Sequence, residues 1–271
     1  MAKATLRVMD HANAPASRTG NIMLPAPFPT DHHPLIRKLE SIFSLTDDER
    51  QALLDLPMQV AVIKQDQDIV REGDRPSRSF AILSGFTCTY KMTGDGKRQI
   101  VTFGVAGDIP DLQSLHLKVL DISVATLTPC SIGFITHEAL WDLCTRHPRI
   151  AAAFWRETLV EGAIFREWVL NVGRREAYNR MAHVLCEMQV RLRAVGLADD
   201  HGYELPITQT EFADALGISN VHVNRVLQQL RADGLIETKG SRLNIPDWEQ
   251  LKTAGDFDPT YLHLKQDEAV S

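Results

Sequence analysis

Residues 208–230 read TQTEFADALGISNVHVNRVLQQL, and this stretch decides the fold. Phe212, Ala213, Leu216, Ile218, Val223 and Val226 are spaced so that two short helices share one apolar seam. Ala213 is small where the helices cross, and Gly217 stands where the turn needs a residue at ease with positive φ. Ser219 offers an N-cap to the second helix. Such a pair is a helix-turn-helix. An ordinary αα-corner would bury the same seam without requiring all these positions together. The outer face then carries Asn220, Val221, His222, Asn224, Arg225 and Gln228, and in this motif that face enters the major groove of DNA. Thr208 and Gln209, at the start of the first helix, and Ser219 are counted with this face as candidate DNA-binding residues.

Moving outward, residues 235–245, LIETKGSRLNI, read as two short strands around Lys239-Gly240. A hairpin directly after a recognition helix is a wing, whose Lys239, Ser241 and Arg242 are placed for phosphates; a hairpin whose charges meet only water is the plainer alternative. Residues 58–136 change character, with β-rich runs such as QVAVI, SFAILSG, FTCTYKM and RQIVTFG between glycine turns, which predicts a sandwich or barrel. Helices follow at 137–147 and, opening on Pro148, at 148–171, with a break at Asn171-Val172-Gly173 and a further helix at 174–195. Trp155, Leu159 and Trp168 belong to more apolar surface than one small β-domain covers, so this long helix is expected to join two subunits, unless one large core buries it.

The expected division is a disordered arm at 1–30, a β-roll sensor domain with flanking helices at 31–147, and a dimerisation helix and hinge at 148–172. A winged helix-turn-helix domain at 173–251 and a tail at 252–271 complete it. The fold class is α+β: an N-terminal cyclic-nucleotide-binding-like β-roll (a jelly roll), a long helix and a winged helix-turn-helix.

The net charge of −6 is unusual for a DNA-binding chain, so its distribution matters. Between Gly173 and Gly196 five arginines outweigh two glutamates, and residues 220–230 contain no acid. A local basic surface is therefore expected, with modest non-specific DNA affinity. Four cysteines are scattered without a C-x-x-C pair, which suits a reducing compartment and speaks against a zinc finger. No basic-then-apolar leader and no membrane-spanning run is evident, so a cytoplasmic location is expected.

The order roll, long helix, hinge, winged helix-turn-helix resembles the Crp/Fnr family of bacterial transcription regulators over about residues 35–245. The resemblance is carried by IVREGD at 69–74, AILSG at 81–85, Gly107-Asp108 and residues 208–245. It implies a non-enzymatic homodimer that controls promoters with RNA polymerase, two recognition helices reading a palindromic duplex operator one DNA turn apart. Arg225 matches the family's guanine-reading arginine, while the glutamate usual four residues earlier is Val221. Cyclic-nucleotide members follow Gly-Asp with a glutamate and, later, an Arg-Ser or Arg-Thr pair for the phosphate. Here Asp111 stands in for the glutamate, and no arginine occurs between it and Arg146, so binding of cyclic AMP in the family's manner is not expected. The N-terminal cysteine cluster of iron–sulfur members is absent, so no such cluster is expected. Haem ligation through His116, Cys88 or Cys130 is a weak alternative, and the effector stays unassigned. An effector-free DNA binder with a structural roll remains open. A cupin-type metalloenzyme fused to a DNA-binding domain is disfavoured, since the roll offers only His116 where a metal needs several ligands, and no metal site is expected.

Overall fold

The computed structural model describes residues 33–265. The arm expected at 1–30 lies outside them. Two short helices, α1 (Pro34–Ile42) and α2 (Asp47–Leu54), lead into the roll. The capping box that opens α2 is in place: Thr46 Oγ1 accepts from Glu49 N–H and Glu49 accepts from Thr46 N–H.

The roll is two antiparallel sheets. One has the order β1 (Gln59–Ile63), β7 (Cys130–Thr136), β3 (Arg78–Ser84). The other runs β2 (Asp68–Val70), β6 (Ser123–Thr126), β4 (Thr87–Met92), β5 (Arg98–Gly104). Phe80, Ile82, Cys130 and Ile132 of the first sheet meet Val70 and Val124 of the second in a buried apolar interior. The Gly107 turn passes so close to α1 that an added Cβ would stand 2.5 Å from Lys38 Cβ and from Pro34 O, and its φ of +97° is one that side chains rarely adopt. Glycine there lets α1 seal the mouth of the roll.

Next come α3 (His137–Arg146), α4 (Pro148–Arg174) and α5 (Ala177–Ala194). The break between the long helices falls at Arg175-Glu176, a few residues later than the glycine suggested, and Gly173 lies inside α4. Nothing crowds Gly173, and a single helical glycine costs only ~1 kcal/mol, which the surrounding packing overrides. α5 is buried on nearly all sides, from Met181 through Gln189.

The last domain carries β8 (Ala198–Asp199), β9 (Gly202–Glu204), α6 (Gln209–Leu216), α7 (Asn220–Ala232), β10 (Glu237–Lys239), β11 (Arg242–Asn244) and α8 (Trp248–Ala254). The polar segment before α6 supplies two strands, and the hairpin expected as a wing becomes part of a four-stranded sheet in the order β10-β11-β9-β8. Tyr203 explains this: its ring is fully buried and its hydroxyl donates to Leu185 O at 2.9 Å. The expected tail is also packed as far as Lys265. Phe257 and Leu262 are buried, Tyr261 stacks on His183, and Lys265 N–H donates to Ser41 O at 2.7 Å. Aromatic side chains at 257 and 261 bury enough surface to order a short segment that looked featureless by pattern.

Candidate nucleic-acid interface and the sensor cavity

The recognition helix is built as its sequence requires. α6 opens with a second capping box, Thr208 N–H donating to Glu211 at 2.5 Å and Glu211 N–H to Thr208 Oγ1 at 3.3 Å. It ends at Gly217, whose φ of 66° is the left-handed C-terminal turn. Ser219 Oγ then accepts His222 N–H at 3.3 Å and starts α7. Val223, Val226, Leu227 and Leu230 turn inward against Phe212, Ala213 and Leu216. Asn220, Val221, His222, Asn224, Arg225 and Gln228 are all exposed. Asn220 and Asn224 donate to Thr210 and Gln209 on α6 at 3.4 Å, contacts long enough to yield to a base or phosphate. Among the described residues Arg225 has no ion-pair or hydrogen-bond partner.

The wing is less free. Lys239 is exposed, but Arg242 Nη2 pairs with Asp199 at 2.6 Å and its Nε donates to Asn244. Ser241 donates to Glu204 at 2.5 Å. Most of the arginines between Gly173 and Gly196 are engaged within the protomer: Arg175 pairs with Glu167, Arg180 donates to the carbonyls of Arg175 and Leu216, Arg191 is buried, and Arg193 pairs with Asp200, while Arg174 stays exposed. Spacing counts charges, but only packing shows which are already paired.

α6 also docks on the roll. Arg98 of β5 pairs with Asp214 at 2.7 Å, and Gln99 donates to Ala215 O at 3.0 Å. Phe103 sets its ring against both Trp168 and Phe212, with centroids 5.6 and 6.1 Å away. Trp168 is therefore inside the protomer, 4% exposed, with its Nε1 donating to Glu187 at 3.0 Å. It does not belong to the outer seam to which it was assigned. Trp155 and Leu159 do face outward, at 70% and 60% exposure.

At the mouth of the roll lies a cavity of about 30 Å³, bordered by Thr102, Asp108, Lys38, Glu157, Glu161 and Arg191. That is room for a water molecule or two, against several hundred Å³ for a typical ligand pocket. It is small because side chains fill it. Lys38 Nζ lies 2.9 Å from Asp108 and 3.1 Å from Glu157. Arg191 Nη2 lies 2.9 Å from Asp108, and Nη1 lies 3.2 Å from Glu187. Glu187 also accepts from Tyr261 OH at 2.8 Å. Burial alone would lower the Lys38 ammonium, but Asp108 and Glu157 hold it above its ordinary value. Burial would raise Asp108, and Lys38 and Arg191 instead keep it below. Glu161 is pushed up to about 8 by burial and then by the charge of Glu157.

Asp111, offered as the effector's carboxylate, does not line this cavity. It is fully buried, accepts Phe80 N–H at 3.0 Å, and burial raises it to about 7. Arg191, which sequence reasoning missed, is the arginine that borders this cavity. It arrives from α5, more than eighty residues beyond Asp108, so no motif within the roll could reveal it. His116 sets its ring edge-on to Trp141, and burial pushes the Cys88 thiol up to about 12. Among the described residues no three His, Cys, Asp or Glu side chains gather as a metal site.

Residues 60–147 match the cyclic nucleotide-binding domain model, and residues 179–254 match the Crp-like helix-turn-helix model, in the order the fold displays. This chain belongs to the Crp/Fnr family of transcription regulators. It is a DNA-binding regulator with a cyclic-nucleotide-binding-like domain. Among curated relatives, the transcriptional activator FnrA of Stutzerimonas stutzeri is 26% identical over 204 residues, spanning 75% of this chain and 83% of that protein. FnrL of Cereibacter sphaeroides is also 26% identical, over 216 residues, 78% of this chain and 86% of that one. Among solved structures, FixK2 of Bradyrhizobium japonicum superposes with a TM-score of 0.67 over 73% of this chain and 98% of its own, at 24% identity, which speaks for the fold. The family is one of transcription regulators rather than enzymes. No helix among the described residues is long and apolar enough to cross a membrane.

Proposed function

We propose that this Crp/Fnr regulator binds a palindrome-like operator as a homodimer, reading each half-site with the outer face of α7. Asn220, Val221, His222, Asn224 and Arg225 face the bases, while Thr208, Gln209, Ser219 and Lys239 lie toward phosphates. Arg242 and Ser241 can join only by giving up Asp199 and Glu204. The observation that carries the reading is Arg225: an exposed guanidinium, without an ion-pair or hydrogen-bond partner among the described residues, on a helix face without acids. Its fork suits O6 and N7 of guanine. Operator DNA and RNA polymerase are the partners this reading implies, and both support a cytoplasmic location.

The dimer seam is assigned to α4. Ala152, Trp155, Leu159, Gly162, Arg166 and Val169 recur at alternating spacings of three and four, the pattern of a coiled-coil stripe. Trp155, Leu159 and Val169 stand 60–74% exposed in the single chain, more apolar surface than a lone protomer leaves uncovered in one line.

The roll is inferred not to take cyclic AMP in the family's manner. Two cations, Lys38 and Arg191, already face Asp108, Glu157 and Glu187, so a cyclic phosphate would enter a site without spare positive charge. Calorimetry with cyclic AMP and cyclic GMP is expected to show no micromolar binding. Tight binding coupled to stronger operator affinity would overturn this reading. Fluorescence anisotropy of Arg225→Ala on a selected operator tests the DNA half: preference over scrambled duplex should collapse, and its survival would remove Arg225 from the reading.

A further inference from the structure

We propose that Val221 reads the 5-methyl group of one thymine in each half-site, so that a methyl contact stands where the family pattern places a carboxylate. The inference rests on α7 lying in the major groove. Val221 is 63% exposed, and from β8 to α8 it is the one large apolar side chain among the described residues left in solvent. Every other apolar residue of α7 above alanine, namely Val223, Val226, Leu227 and Leu230, is buried. Nothing in the fold asks for valine at this place. β-Branched residues are weaker helix formers than most, and the side chain packs on no core.

The position is the first turn of α7, directly after the Ser219 cap, where this motif comes nearest the bases. Arg225 lies four residues on and Asn224 three, so all three project from one face. Valine neither donates nor accepts. A guanine, adenine or cytosine edge held against it would lose its water without a partner. Thymine alone among the four bases offers an apolar group in the major groove, its C5-methyl. Asn224, a suitable partner for adenine N6 and N7, and Arg225, suited to guanine, then complete a half-site with one apolar and two polar readings.

The test begins with an operator selected from random duplexes by the full-length chain. Each selected thymine is then replaced by uracil, which deletes the methyl and nothing else. One thymine per half-site should lose roughly fourfold in affinity, as expected for one buried methyl, and about fifteenfold when both half-sites are changed. With Val221→Ala, thymine and uracil at that position should bind alike, while the other thymines keep their effects. Val221 is exposed, so the variant should fold normally. A selected half-site without thymine, uracil replacement without effect, or an effect that persists in Val221→Ala would each overturn the inference. Arg225→Ala in the same assay separates the two levels. If it abolishes sequence preference while uracil changes nothing, only the valine reading falls. If it too leaves preference intact, α7 is not the reading helix and both fall.

Discussion

Arg225 on α7 and Arg191 on α5 carry the same guanidinium in opposite surroundings. Arg225 is exposed and has no partner among the described residues, and its neighbours Asn220 and Asn224 hold only long contacts. Arg191 is buried and bonded to Asp108, Glu187 and Thr102. A surface that must bind an anionic duplex keeps its cation free, since any internal pairing would have to be broken first. The cavity at the roll does the reverse and sets its two cations against its own carboxylates, although Glu157 Oε2 and Arg191 Nε find no hydrogen-bond partner among the described residues. The two halves of the molecule therefore differ in what an added ligand would find: open valence at one end, a closed circuit at the other.

Arg191→Ala should sharpen that difference most. Removing it leaves Asp108 and Glu187 buried with one cation fewer, and breaking a buried pair in this way typically costs about 3–5 kcal/mol. Chemical denaturation of the full chain should show the loss directly. Arg191→Lys, which keeps the charge but not the fork, should lose less. A midpoint unmoved by Arg191→Ala would mean the network holds nothing together.

The seam on α4 lies between those extremes, apolar but exposed in the single chain. Leu159→Glu should weaken self-association by roughly 2–4 kcal/mol, because a carboxylate would be buried in the paired helices without a partner. The protomer itself should stay folded, as Leu159 is already 60% exposed. Light scattering of both proteins decides it. A wild-type monomer at micromolar concentration removes the seam, and a variant that dimerises as well as wild type moves it elsewhere.

Arg225→Ala is the mirror of Arg191→Ala. Operator affinity should fall by about 1–3 kcal/mol per half-site. Unfolding should change by no more than about 0.5 kcal/mol, as for other surface positions. Finding the stability loss at Arg225 and the binding loss at Arg191 would reverse the comparison.

The two regions also differed in how far their sequence could be read. The helix-turn-helix is local. Thr208, Glu211, Gly217 and Ser219 act within four residues of themselves, so their spacing determines caps, turn and outer face together. The roll's strands were legible for the same reason. The cavity was not, because its members come from α1, the Gly107 turn, α4 and α5, and helical periodicity places Glu187 and Arg191 on a face without saying what packs there. Trp168 shows the same limit: its apolarity suggested a subunit interface, but Phe103 of the roll and the Glu187 carboxylate take it inside. The packed segment 255–265 escaped notice because a few aromatic anchors, not a repeating pattern, order it.

The smallest effect concerns Glu161, at the edge of the closed circuit. It faces Glu157 on its own helix, Asp108 from the roll, Lys38 from α1 and Arg191 from α5. Burial and the two carboxylates outweigh the two cations, and the group moves from an ordinary 4.5 up to about 8. Between those values the folded chain holds a proton that the unfolded chain has released. Raising the pH across this window therefore favours unfolding: the contribution is fully present below about 4.5 and is gone above about 8. The loss should amount to about 1–3 kcal/mol once water entering the site relaxes part of the burial. Glu161→Gln keeps the shape and removes the titration, so its unfolding free energy should be flatter with pH than that of wild type. Histidines and the other carboxylates titrate in both proteins, and the difference between the two profiles isolates position 161. Denaturation series at closely spaced pH values between 4 and 9 supply that difference. Parallel profiles would mean that Glu161 is ionised throughout, and that the cavity admits more water than its packing implies.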